Sequence, residues 1–154
     1  ARCQGHGQLG RLVKGAGKVQ VVAAAQGGGV ADKIDDHRLV RCPSGGQELT
    51  GDRRIRMVSA MAARYRPGHF LNVHNDSAKD EDRAFAYVIN LGRDWQPHWG
   101  GQLQFLGERG DIVDTFVPHW NSLSLFRVPQ IHQVTLVSPW ARDDRYSIAG
   151  WFRR

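Results

Sequence analysis

A chain of 154 residues has room for one modest domain, which excludes several folded units side by side. Hydrophobic residues at 41% and charged residues at 23% are the proportions of an ordinary globular protein, and no run approaches the roughly 20 apolar residues that a membrane-spanning helix requires. The formal net charge of +6 lies wholly in the first 64 residues, which hold 11 Lys and Arg against five acids and no aromatic residue.

That uneven distribution divides the chain. Residues 1–47 read as a Gly-rich basic leader, expected to be disordered, and residues 48–154 as the folded domain. Basic excess raises the question of a nucleic-acid partner, but a leader without aromatic rings offers no platform on which bases stack, so nucleic acid is not expected as a partner. Cys3 and Cys42 form no Cys-x-x-Cys pair, and two reduced thiols in a cytoplasmic protein is the economical reading. Residues 19–25 are broken by Gln20 and run into Gly27-Gly28-Gly29, which argues against a signal-peptide core. The first residue is Ala rather than Met, as expected of a fragment or a processed product.

Apart from a short strand over residues 19–22, the pattern predicts no regular element before Glu48. Ile55, Met57 and Val58 then begin a β-like pattern, followed by a turn at Arg66-Pro67-Gly68 and a strand over residues 69–74. Residues 84–91 form an apolar run suited to a strand buried on both faces, and Gly100-Gly101 introduces an alternating strand over residues 102–106. A turn near Asn121 precedes strands over residues 122–128, 132–137 and 145–153. Short strands with turn signals between them, and no long helix after Tyr65, predict an all-β sandwich or barrel.

Chemistry gathers on these strands. In His74-Asn75-Asp76 the two-residue period of an extended chain sends His74 and Asp76 to one face, where an imidazole and a carboxylate suit a divalent transition metal. His-x-Asp alone is a weak signal. His132, on a later strand, would complete two His and one carboxylate, the set that leaves three positions of an octahedral iron open; taken by itself His132 reads equally well as a core histidine bonded to a neighbouring strand. Arg145 and Ser147 share a face of the last strand with Ala149 and Trp151. An Arg aimed into a barrel needs an anion, and a metal-chelating diacid whose second carboxylate reaches Arg145 and Ser147 would supply one.

Tyr65-Arg-Pro-Gly-His-Phe-Leu-Asn-Val-His74-Asn-Asp76, Gly100-Gly101-Gln-Leu-Gln-Phe105, Asn121-Ser-Leu-Ser-Leu-Phe126, His132 and Arg145-Tyr-Ser-Ile-Ala-Gly-Trp-Phe152 occur in that order. Together they resemble the 2-oxoglutarate and Fe(II)-dependent dioxygenases, more narrowly the prolyl-hydroxylase branch with the ribosomal-protein prolyl hydroxylases and their bacterial relatives. The resemblance covers residues 48–154 and leaves the leader without a counterpart in the family. It implies a double-stranded β-helix, a jelly-roll, cupin-like barrel with the metal at its mouth. It further implies Fe(II) on His74, Asp76 and His132, the distal carboxylate of 2-oxoglutarate on Arg145 and Ser147, and Tyr65 in the cosubstrate pocket, with Tyr87 as a candidate lining residue.

The activity implied is hydroxylation of a peptidyl proline in a protein or peptide substrate, with dioxygen consumed, succinate and carbon dioxide released, and ascorbate (vitamin C) as the supporting reductant. The alternative is a non-catalytic cupin-like metal-binding module or an inactive relative, against which Arg145 argues because a structural metal site has no use for a diacid anchor. The alkylated-base demethylases carry a second Arg six residues after the first, where this chain has Trp151, which argues against nucleic-acid repair.

Overall fold

A computed structural model of the chain describes Leu12–Gly15, Lys18–Val22, and residues 43–79 and 81–154. Cys3, Cys42, His6 and His37 lie outside the described residues. Among the described residues ten strands form two antiparallel sheets. In chain order they are β1 (Leu12–Gly15), β2 (Lys18–Val22), β3 (Met57–Tyr65), β4 (Leu71–His74), β5 (Arg83–Asn90), β6 (Leu103–Leu106), β7 (Ile112–Phe116), β8 (Ser122–Arg127), β9 (His132–Val134) and β10 (Arg145–Arg153). One helix, α1 (Pro43–Thr50), precedes β3.

The larger sheet runs β1-β2-β8-β5-β10-β3 and the smaller runs β4-β9-β6-β7. From β3 onward the chain crosses between the sheets, so that β3, β5, β8 and β10 face β4, β6, β7 and β9. This is the jelly-roll that the motifs implied. Among the described residues no helix is long and apolar enough to cross a membrane.

Burial follows sequence pattern where the pattern is strong. β6 alternates buried and half-buried residues, as Leu-Gln-Phe-Leu predicts, while the apolar run of β5 is covered on both faces. Between the sheets lie Ala86, Leu103, Phe105, Phe126 and Val134, flanked by Tyr65, Phe116, Val128 and Trp151. Phe105 is fully buried and meets Phe116 and Phe126 edge-on, with ring centroids 5.4 and 5.0 Å away.

A second cluster, Ile55, Ala84, Phe85, Tyr87, Leu125 and Phe152, occupies the outer face of the larger sheet. Helix α1 seats against it at Gly46, where an added Cβ would lie 2.9 Å from the Phe152 ring. Only a glycine permits that approach.

Three elements escaped the sequence pattern. Strand β1 and helix α1 sit in Gly-rich text, and β7 has two exposed apolar residues where alternation would hide one. The expected short strand over residues 19–22 is present as β2, paired along its length with β8, with β1 beyond it. The boundary expected between residues 47 and 48 falls inside α1.

Candidate functional site

The site is built where the two sheets open, beside the edge strand β4. His74 ends β4 and His132 begins β9, and the two are direct register partners in the smaller sheet. Their ring centroids are 4.1 Å apart, and His132 also meets the Phe126 ring at 4.7 Å. Each imidazole is tied the same way: Nδ1 of His74 is 2.8 Å from the Asn72 carbonyl, and Nδ1 of His132 is 2.7 Å from that of Gln130. A carbonyl only accepts, so Nδ1 carries the proton in both rings and Nε2 is left with its lone pair free.

Both Nε2 atoms face Asp76, one opposite each carboxylate oxygen, at 3.5 Å. The ligand atoms of the three residues all lie within 4.8 Å of one another. The extended backbone expected for residues 74–76 is not what brings this about. β4 stops at His74, and Asp76 adopts the left-handed region with φ +62°. The convergence holds, but through a turn rather than through strand alternation.

The electrostatics are those of a shared site. Hydrogen bonding to Asp76 raises the His74 pKa, against the effect of partial burial. Burial lowers that of His132. Burial pushes Asp76 up, but His74, the nearby His132 and the Trp151 indole N–H outweigh it and hold the carboxyl below its ordinary value. That indole nitrogen is buried and meets no acceptor at hydrogen-bond geometry.

Arg145 begins β10 and is 2% exposed. Its Nη2 donates to Asn90 Oδ1 at 3.1 Å and its Nη1 to Ser147 Oγ at a long 3.5 Å, while its Nε has no partner. The guanidinium carbon lies 5.2 Å from the centroid of the Tyr65 ring, which is half-buried on the register partner of Arg145 in β3. Burial pulls the Arg145 pKa down to about 10, a shift that Tyr65 opposes, and leaves the group charged at neutral pH. Among the described residues Arg145 makes no ion pair with a carboxylate. A buried cation with an unmatched N–H is a fit for an anionic ligand.

Three buried polar residues near Arg145 went unread in the sequence, Asn90, Ser122 and Ser124. Ser147, Asn90 and Ser122 are register partners across β10, β5 and β8, and Asn90 Nδ2 donates to Ser122 Oγ at 3.0 Å. With Ser124 they make a buried polar strip on an otherwise apolar sheet. The signal was present: Asn90 is the one polar residue of the run 84–91, and Ser122 and Ser124 alternate with Leu123 and Leu125.

Tyr87 has to be removed from the pocket. Alternation puts it on the face of β5 opposite Ala86, Val88 and Asn90, where its hydroxyl donates to the Ser59 carbonyl at 2.9 Å inside the outer cluster. Among the other histidines, His69, His98 and His119 are exposed.

Two imidazoles and a carboxylate in this compass are a donor set for a divalent metal such as Fe(II), and the Arg145 pocket suits the far carboxylate of a chelating diacid. The sequence profile of the 2OG-Fe(II) oxygenase superfamily matches residues 60–153, and the chain belongs to that superfamily. Fe(II) and 2-oxoglutarate are the cofactor and cosubstrate that this family implies.

Within it, the chain is 35% identical over 102 residues to the prolyl 3-hydroxylase OGFOD1 of Xenopus laevis, and 30% identical over 110 residues to the prolyl 3-hydroxylase sudestada1 of Drosophila melanogaster. These alignments cover 62% and 64% of this chain but 19% and 20% of the relatives, so the chain spans about a fifth of their length. A prolyl-4-hydroxylase of Pseudomonas putida superposes with a TM-score of 0.56 at 31% identity, over 65% of this chain and 54% of that one. A 2OG-Fe(II) oxygenase-family protein from Burkholderia pseudomallei shares the fold, with a TM-score of 0.56 at 22% identity over 72% and 51% of the two chains.

Proposed function

We propose that the chain is the catalytic core of an Fe(II)- and 2-oxoglutarate-dependent dioxygenase that hydroxylates a prolyl residue in a protein or peptide. The observation that carries this reading is the pairing of the His74–Asp76–His132 cluster with a buried, incompletely satisfied Arg145, both bordering the inter-sheet core, His132 at Phe105 and Phe126 and Arg145 at Tyr65. A metal module without turnover would have no occupant for that guanidinium. Relatives named as prolyl hydroxylases support the substrate class.

Bound Fe(II) would supply the activation of dioxygen that couples oxidative decarboxylation of 2-oxoglutarate, to succinate and carbon dioxide, with hydroxylation of a substrate C–H bond. In this reading His74, Asp76 and His132 would hold the metal. The carbonyls of Asn72 and Gln130 fix the imidazole tautomers before any metal arrives. Arg145 and Ser147 grip the distal carboxylate of the cosubstrate, with Asn90 orienting the guanidinium and Tyr65 walling the pocket. Phe105 and Phe126 back the site with apolar rings that keep water from the His132 side. Ascorbate as the reductant and a cytoplasmic setting belong to the same proposal, the latter resting on cysteine usage.

The test is succinate release from Fe(II), 2-oxoglutarate and ascorbate with a panel of proline-containing peptides, ribosomal-protein loops among them. Succinate coupled to the gain of one oxygen atom at proline is the expected result. A folded, iron-loaded protein that releases no succinate above a metal-free blank overturns the proposal.

A further inference from the structure

Asp76 is the only candidate ligand outside a strand, and it sits in a backbone conformation that a residue with a Cβ seldom adopts. Asp is among the few non-glycine side chains that visit this region, and contacts around it decide whether it stays there. The surroundings are specific. Arg83 Nη1 donates to the Asp76 carbonyl at 3.2 Å. The same guanidinium lies flat against the Trp151 indole, its central carbon 3.7 Å from the ring centroid, and its Nε donates to Glu81 Oε2 at 2.6 Å. Glu81 is itself held by Arg153 Nη2 at 2.8 Å.

Arg83 is thus held by two partners, Trp151 and Glu81, before it reaches Asp76. It begins β5 and Trp151 belongs to β10, both in the larger sheet, whereas Asp76 follows β4 of the smaller one. The contact therefore crosses from one sheet to the other and grips the ligand's backbone. Arg83 reaches the backbone carbonyl of Asp76 and not its carboxylate, so what it contributes is geometry.

We propose that Arg83 is a positioning residue for Asp76: it holds the carbonyl so that the carboxylate stays between the two Nε2 atoms, and Glu81 and Trp151 hold Arg83. The inference rests on the reading of His74, Asp76 and His132 as a metal centre. Without the clamp the peptide at Asp76 relaxes toward negative φ, and its two oxygens no longer face one imidazole each.

The experiment is titration of the metal-free chain with Co(II), which reports both affinity and, through its visible absorption, ligand geometry. The parent is compared with Arg83→Ala, Arg83→Lys and Glu81→Gln, each checked for cooperative thermal unfolding. Arg83→Ala is expected to bind roughly tenfold to a hundredfold more weakly, the usual cost of losing a partner that orients a ligand, with an altered Co(II) spectrum. Arg83→Lys, which keeps a donor within reach of the carbonyl, recovers most of the affinity and the parental spectrum. A folded Arg83→Ala with parental affinity and spectrum overturns the inference and leaves the metal centre standing. A folded parent that binds no Co(II) overturns the metal centre and the inference with it. Should Arg83→Ala not fold, Glu81→Gln decides: weaker binding with a changed spectrum supports the clamp, and parental binding overturns it.

Discussion

His74 and His132 face each other as register partners on β4 and β9, each with Nδ1 tied to a carbonyl two residues earlier and Nε2 turned toward Asp76. The ring orientations are therefore set by backbone already ordered in the sheet. Under the proposed assignment, removing any of the three side chains takes away a ligand and not merely its support. Single His74→Ala, Asp76→Ala and His132→Ala variants are each expected to lose more Fe(II) affinity than the roughly hundredfold that losing an orienting partner costs. Anaerobic Fe(II) titration measures this, and undiminished binding in all three would remove the assignment.

Under the proposed assignment, Arg145 separates cosubstrate binding from metal binding. Arg145→Ala is expected to leave Fe(II) affinity near the parental value while weakening 2-oxoglutarate by roughly tenfold to a hundredfold, the consequence of losing a charge-assisted pair of about 1.5 to 3 kcal/mol. Arg145→Lys should fall between, because a point charge attracts the carboxylate without matching its fork. Fluorescence or calorimetric titration of 2-oxoglutarate into the metal-loaded protein reads both, and equal cosubstrate affinity in the parent and Arg145→Ala would move the anchor elsewhere.

Asn90 links the anchor to the sheet, accepting from Arg145 and donating to Ser122. Asn90→Leu leaves the buried Nη2 of Arg145 without its partner, at a cost of about 1 to 3 kcal/mol, while Ser122 Oγ keeps its bond to the His119 carbonyl. The expected outcome is a lower unfolding midpoint together with weaker 2-oxoglutarate binding. Asn90→Asp should tighten the hold on Arg145 but compete with the cosubstrate, so its loss appears as a raised KM with the fold intact.

Asp52 gives the fold an acid-sensitive fastening. Its carboxylate accepts from the Arg54 side chain, the Arg54 backbone N–H and Arg154 Nε, and these bonds hold its pKa far below the usual carboxylate range. A group whose folded pKa is depressed stabilises above its unfolded pKa, near 4, and that contribution disappears as pH falls through the folded value. Asp52→Asn should lower the unfolding midpoint at neutral pH, and the gap from the parent should narrow progressively below about pH 4. Midpoints recorded across that range check it; a gap that stays constant would mean that the bonds to Asp52 contribute nothing through its charge.

The features that could be read in advance are those set by strong local pattern. The apolar run of β5, the alternation of β6 and the inward Arg145 and Ser147 of β10 all follow from two-residue periodicity. His74 and Asp76 were matched correctly as neighbours, yet periodicity is not their cause, since Asp76 lies beyond the strand in the left-handed region, its carbonyl accepting from a residue seven positions on. Tyr87 fell on the wrong side because a resemblance fixes a position only to within a residue, and in a strand one residue changes the face. Helix α1 carries two glycines in eight residues, so propensity concealed it, and only the Phe152 ring explains why Gly46 is there.

The candidate metal ligands stand on and just after β4 and at the start of β9, in the smaller sheet, whereas Arg145, Ser147, Asn90 and Ser122 all belong to the larger. The distance between the two groups is thus fixed by the thickness of what lies between the sheets, chiefly Phe105, Phe126 and Trp151. Under the proposed assignment that layer works as a caliper for the length of the diacid. A bulkier side chain at Phe126 would open the jaws toward longer chelating acids and a smaller one would close them toward shorter ones, so cosubstrate choice is written into core packing as well as into the anchoring arginine.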